Sequence, residues 1–254
     1  MIGESVWNRS VSIAEALRQL VYEVSVRPEL IIFDCDGVLV DSEVIACRAD
    51  ALCLAEIGIA ISAEEIMDRY LGISAAEMCT DIELRLGRSL PANFTETLRA
   101  RVAAVFDTEL VPIVGVEAML EALPFRRCVA SSSAVERLRH SLSLTGLLGY
   151  FEPNIFSATQ VGRGKPAPDL FWFAADSMQA TRATCLVIED SVPGVQAAVA
   201  AGIPVIGFTG GGHCRPGHAD RLLAAGAVTV ASAMWQVPGL VGDVGRSTQS
   251  TTGG

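Results

Sequence analysis

Lysine is nearly missing from this chain: one residue, Lys165, stands among 19 basic positions, and every other is arginine. Acidic residues outnumber basic ones and the net charge is −10, which argues against nucleic acid or an anionic membrane as partner. An anionic substrate would need a local positive centre. There is no Cys-x-x-Cys pair, and seven cysteines scattered among apolar neighbours suit reduced thiols, not a disulfide frame or a zinc site. Long apolar runs are also lacking. The longest nearly uncharged one, Ala197 to Phe208, is too short for a membrane span and is interrupted by Gly202 and Pro204. The first residues show no basic start followed by an apolar block, so no secretory leader is expected and a cytoplasmic location is. Cys79 and Arg85 share the Cys-x5-Arg spacing of thiol phosphatases, but the helix-forming "TDIEL" between them has no glycine to fold a phosphate cradle.

What is present is a chain of 254 residues, half of them apolar, enough for one main domain with a subdomain. After residue 114, short apolar runs alternate with amphipathic stretches, the pattern of an α/β domain with a mostly parallel, Rossmann-like sheet flanked by helices. Strands are expected at Leu30–Cys35, Arg127–Ser131, Asn154–Ser157, Cys185–Glu189, Pro204–Phe208 and Ala227–Val230. Helices are expected at Val116–Leu123, Ala134–Leu142, Asp169–Met178 and Val192–Ala201, the second opened by a capping box of Ser133 and Glu136. The catalytic core would comprise residues 30–43 and 114–240. Between them, residues 44–113 read as an inserted small α-helical cap. Ser62 with Glu65 and Ser74 with Glu77 mark two helix starts there, and the two ends return to one place as hinges. Residues 1–29 form an N-terminal extension, with Val11, Ala14, Leu17 and Val21 on one helical face; residues 241–254 read as a flexible tail.

The stretch "PELIIFDCDGVLVDSE" poses the chemical question. Residues two apart on a strand face the same side, so Asp34 and Asp36 converge if the strand runs that far, and two carboxylates beside an apolar strand call for a positive neighbour. Taken alone, Asp-x-Asp-Gly can also be a solvated strand end entering a turn. Other strand ends add to it, because ligands of open α/β sheets bind beyond the carboxyl ends of the strands. "VASSS" delivers Ser131 at a helix start, which suits an anion. "VIEDSVPG" delivers Glu189 and Asp190, and oxygen-rich acidic sites of this kind favour Mg2+. Lys165, in "GRGKPAPD", offers a compact ammonium on a loop held by Gly164, Pro166 and Pro168.

These four motifs, "DCDGVLVDS", "VASSS", "GKPAPD" and "VIEDSVPG", occur in the order found in the haloacid dehalogenase-like phosphotransferases, and the chain resembles that family from about Leu30 to Val237. The resemblance implies that Asp34 attacks phosphorus and becomes an aspartyl phosphate. It implies that Asp36 protonates the leaving oxygen, later activates water, and offers its backbone carbonyl to Mg2+. Asp34, Asp190 and Glu189 would be the remaining metal contacts, and Ser131, Ser132 and Lys165 would hold the phosphoryl oxygens. An acid at Asp36 points to phosphorus chemistry, since the dehalogenases of the family usually lack it.

The nearest subgroup contains beta-phosphoglucomutase and small sugar-phosphate phosphatases. Mutases carry a histidine on the first cap helix and an arginine after a cap turn; the matching positions here are Ala46 and Ala75. Hydrolysis of a small phosphorylated metabolite is therefore expected, be it a sugar, a polyol or a sugar acid such as 6-phosphogluconate, with a phosphomutase and a catalytically silent binding protein as the alternatives. Glu43, Arg48 and Arg69 are the candidate substrate contacts on the cap. No nucleic-acid or membrane partner is expected, and a monomer is.

Overall fold

The computed structural model describes residues 28–247. The helical face expected around Val11 to Val21 lies outside them. Six strands form one fully parallel sheet in the order β3-β2-β1-β4-β5-β6: β1 (Leu30–Phe33), β2 (Arg126–Ser131), β3 (Ile155–Ser157), β4 (Cys185–Glu189), β5 (Val205–Phe208) and β6 (Thr229–Ala231). Strands buried on both faces read as continuous apolar runs, and "LIIF" and "CLVIE" do. Ile31, Phe33, Val129 and Ile188 enter one core layer, while Leu30, Ile32, Cys128 and Val187 enter the other. The order reverses between β1 and β4, which pair in register from Leu30 opposite Cys185 to Phe33 opposite Ile188. A crevice beyond the carboxyl ends of these two strands is where such sheets bind ligands.

The helices are α1 (Glu43–Glu56), α2 (Ala63–Tyr70), α3 (Ala75–Leu86), α4 (Phe94–Glu109), α5 (Val116–Ala122), α6 (Val135–Leu144), α7 (Asp169–Ser177), α8 (Val192–Ala201), α9 (His218–Ala225) and α10 (Val237–Ser247). Helices α1 to α4 form a layer with its own core, in which Leu54, Ile66, Met78, Ile82, Phe94 and Leu98 are buried together. Reciprocal capping boxes open α2 and α3, as the serine–glutamate spacing predicts. The chain leaves and re-enters the sheet domain at adjacent points: Val40 bridges Pro112, the Asp41 amide donates to Val111 O at 2.9 Å, and the Ile113 amide donates to Leu39 O at 3.0 Å.

Three expectations are corrected. Strand β1 stops at Phe33 instead of running to Cys35, because the amides of Val38, Leu39 and Val40 all fold back onto Cys35 O and Gly37 takes a φ of 78°. Helix α6 is not opened by a Ser133–Glu136 box: Ala134 is its cap residue, and the Ser133 hydroxyl is drawn instead to the Asp36 carboxylate. The expected flexible tail begins too early. Helix α10 runs to Ser247 and buries Val237, Val241 and Val244 against the core, while residues 248–254 lie outside the described part.

Candidate active site

Leaving the strand at Phe33 separates the two aspartates of the first motif. Asp34 still takes a sheet-like bond, its amide donating to Ile188 O at 3.0 Å, and its carboxylate accepts from Lys165 Nζ at 2.6 Å. The same ammonium donates to Glu189 at 2.7 Å. Glu189 is held in turn by the amide of Ser191 at 2.6 Å. Lys165 and Glu189 are almost wholly buried, so each charge depends on the other for compensation. The surrounding carboxylates keep Lys165 protonated although burial opposes it.

Asp36 points elsewhere. Its carboxylate accepts from Ser42 Oγ at 2.6 Å, Ser133 Oγ at 2.6 Å and Arg137 Nη2 at 2.9 Å. Burial alone would lift its pKa, but the guanidinium and the two hydroxyls outweigh it and hold the group below the usual carboxylate range. Asp34 goes the other way. Burial, with Glu189 and Asp36 nearby, outweighs the attraction of Lys165 and pushes it up to about 8. Asp190 is raised well above normal, chiefly by burial and then by Glu189 and Asp34.

Asp34, Glu189 and Asp190 bring oxygens within 4.8 Å of one another. One lysine cannot neutralise three buried carboxylates, and Asp190 Oδ2 is buried with no hydrogen bond of good geometry, only His213 Nε2 beside it at 2.9 Å. The cluster is short of positive charge. A Cβ on Gly37 would fall 2.0 Å from that same Oδ2, so only glycine fits beside it, in a backbone conformation glycine tolerates.

Above Asp34 and Asp36 lies a cavity of about 70 Å³ between the sheet ends and the α1–α4 layer, lined by Glu43, Asp50, Ile66, Tyr70 and Met78 on the helical side and by Ser131 to Ser133 below. Ser132 donates to Gly72 O at 2.9 Å. The Cα of Gly72, at a φ of 80°, lies against Ser191, where a side chain would clash. The helical layer is thus seated on the sheet domain.

Glu43 lines this cavity, and burial, followed by the charge of Asp36, raises it to about 7. Arg48 and Arg69 are not part of it. Arg48 pairs with Glu109 on the exposed side of the layer, and Arg69 lies 4.0 Å from Glu65 in solvent, so both candidate substrate contacts are withdrawn.

Sequence reasoning missed three residues. Arg137 occupies the first turn of α6, where the helix dipole disfavours a cation; that misfit was the signal. Asp50 lies seven residues beyond Glu43 on the same face of α1 and is raised by burial to about 6. His213 Nε2 lies 2.9 Å from Asp190 Oδ2, brought there by the run Gly210–Gly212. His213, Cys214 and His218 also come together, but His218 has both ring nitrogens engaged, by Asp190 O at 2.6 Å and Arg221 at 3.0 Å, and reads as structural.

The family model for haloacid dehalogenase-like hydrolases matches residues 31–208. The chain belongs to that family. It is 37% identical over 191 residues to the 6-phosphogluconate phosphatase of Escherichia coli K12, a match covering 75% of this chain and 86% of the relative. A phosphorylated carbohydrates phosphatase of Thermotoga maritima is 32% identical over 69% of this chain and 82% of its own length. A haloacid dehalogenase-like protein of Agrobacterium tumefaciens superposes with a TM-score of 0.73 at 40% identity, covering 85% of this chain and 98% of the other. The chain is an enzyme, a haloacid dehalogenase-like phosphoric monoester hydrolase. Among the described residues, no helix is long and apolar enough to cross a membrane.

Proposed function

We infer that the protein is a Mg2+-dependent, cytoplasmic phosphatase of a small phosphorylated sugar or polyol, working through an aspartyl phosphate on Asp34. The observation that carries this reading is the buried cluster of Asp34, Glu189 and Asp190, three carboxylates faced by Lys165 and, at Asp190, by His213, next to a cavity lined by Asp34. Its oxygen-only donors and charge deficit fit Mg2+. Asp34, Asp190 and the backbone carbonyl of Asp36 would hold the ion, with Glu189 as a further acidic contact. Bound there, the ion neutralises charge on the phosphoryl oxygens and on Asp34.

The chain's own groups divide the remaining work. Asp34 Oδ attacks phosphorus, the bond to the ester oxygen breaks, and Asp36 gives that oxygen its proton. Before substrate arrives, Arg137 and the two hydroxyls favour the ionised form of Asp36; the negative charge of an arriving phosphate raises its pKa and lets it take up a proton from solvent. Water then attacks phosphorus, its proton passes back to Asp36, and Asp34 and inorganic phosphate are released. Lys165 and the Ser131–Ser132 segment hold the phosphoryl oxygens, positioning that supplies most of the rate in phosphoryl transfer. Arg137, Ser42 and Ser133 fix Asp36 for both transfers.

Helices α1 to α4 act as a cap that excludes water and bulky esters. Ala46 and Ala75 line the cavity and offer no group to grip a second phosphate, which favours hydrolysis over phosphoryl return to a sugar. The test is phosphate release from a metabolite panel with and without Mg2+. Release that survives Asp34→Asn or a chelator would refute the mechanism.

A further inference from the structure

The cavity shows an imbalance of polar groups. Glu43, Ala46, Cys47 and Asp50 recur at helical spacing along α1 and form one wall of it. No hydrogen bond or ion pair ties Glu43 or Asp50 to any described residue, whereas the other cap-side polar groups are committed. The Tyr70 hydroxyl donates to Asp81 at 2.7 Å, and Ser74 is closed into its capping box with Glu77. The rest of that wall is apolar, with Ile66, Ile73 and Met78. A single cation, Arg137, lines the whole cavity. It is bonded to Asp36 through Nη2, and its Nε is buried with no hydrogen-bond partner.

A ligand entering beyond the phosphate therefore meets two free carboxylates and, of positive charge, one guanidinium already paired with Asp36. A substrate carboxylate or second phosphate placed there would lie beside Glu43 and Asp50 with only the guanidinium paired to Asp36 to offset the repulsion, and like charges brought together out of bulk water are strongly selected against. Hydroxyl groups, by contrast, would supply the hydrogens these carboxylates lack.

We propose that the substrate is the monophosphate of an uncharged polyhydroxy alcohol, whose hydroxyls donate to Glu43 and Asp50, and that sugar-acid phosphates and bisphosphates are rejected. This rests on the phosphatase reading and narrows it. It also separates the chain from the substrate in the name of its E. coli relative.

The test uses a matched pair of open-chain esters, glucitol 6-phosphate and 6-phosphogluconate, which differ at the far carbon by a hydroxymethyl against a carboxylate. The expected kcat/KM ratio favours the neutral ester by about tenfold or more. In the double variant Glu43→Gln, Asp50→Asn, which keeps the shape and removes the charge, the ratio falls several-fold towards unity. Product inhibition of the wild type by glucitol against gluconate gives the same ranking without depending on the variant's folding. Equal or better turnover of 6-phosphogluconate by the wild type, or a ratio unmoved in the folded double variant, overturns the proposal. Silence towards every ester, a small aryl phosphate included, overturns the phosphatase reading itself and this proposal with it.

Discussion

Asp50 is a carboxylate that the fold tolerates at a cost, and the cost is measurable. Burial lifts it from 3.8 to about 6, and one pKa unit corresponds to about 1.4 kcal/mol. Full transmission of the shift would cost about 3 kcal/mol of stability at neutral pH; water in the cavity screens part of it, leaving about 1–2 kcal/mol. The sign follows from proton counting. Between pH 4 and 6 the native state keeps a proton that the unfolded chain has released, so this residue's contribution to stability falls as pH rises through that window and is flat above it. Asp50→Asn removes the charge and should make the protein more stable than wild type above pH 7, by roughly that amount, with about half the gain at pH 5. Urea unfolding of both proteins at pH 5 and pH 7.5 reads it. A variant no more stable than wild type at pH 7.5, or a gain independent of pH, would refute the reasoning. Stability traded for an unpaired acid in a binding cavity is the expected pattern of a functional residue.

Other perturbations probe the catalytic groups. Lys165→Met leaves Asp34 and Glu189 buried without their partner and should destabilise the fold by about 3–5 kcal/mol in urea unfolding, with at least about a hundredfold loss of kcat. Arg137→Met removes the charge that holds Asp36 low, so the limb of the pH–rate profile that reports Asp36 should move up by about 1–3 units; no limb moving would show that Arg137 does not act on Asp36. Gly37→Ala drives a Cβ into Asp190 Oδ2 and strains a left-handed residue. It should raise the Mg2+ concentration needed for half-maximal activity and lower the melting temperature together.

The sheet was legible because its central strands are apolar on both faces; Asp34, Glu189 and Asp190 were legible because each places a costly carboxylate at the end of an apolar run, and Lys165 because it is the one lysine of the chain. What escaped the sequence has physical reasons. The end of β1 depends on three amides converging on Cys35 O, which no periodicity encodes. Arg137 and Asp36 are joined across a separation of 101 positions, and the pairing is decided by how α6 packs, not by local pattern. Ser133 had two possible roles, and the pull of a buried carboxylate outweighed that of a helix start. Arg48 and Arg69 could not be placed from charge alone, since the face a short helix turns to a cavity is set by the layer around it. The serine–glutamate boxes of α2 and α3 were readable because they are local and self-contained.

The central claim is a covalent phosphate on Asp34. The most direct measurement is acid quenching during turnover, borohydride reduction, and peptide mass spectrometry across residues 30–43. An acyl phosphate at Asp34 predicts homoserine at that position, dependent on substrate and absent when Mg2+ is withheld. An unmodified Asp34 in enzyme caught during turnover, with the label on another residue or nowhere, would contradict it.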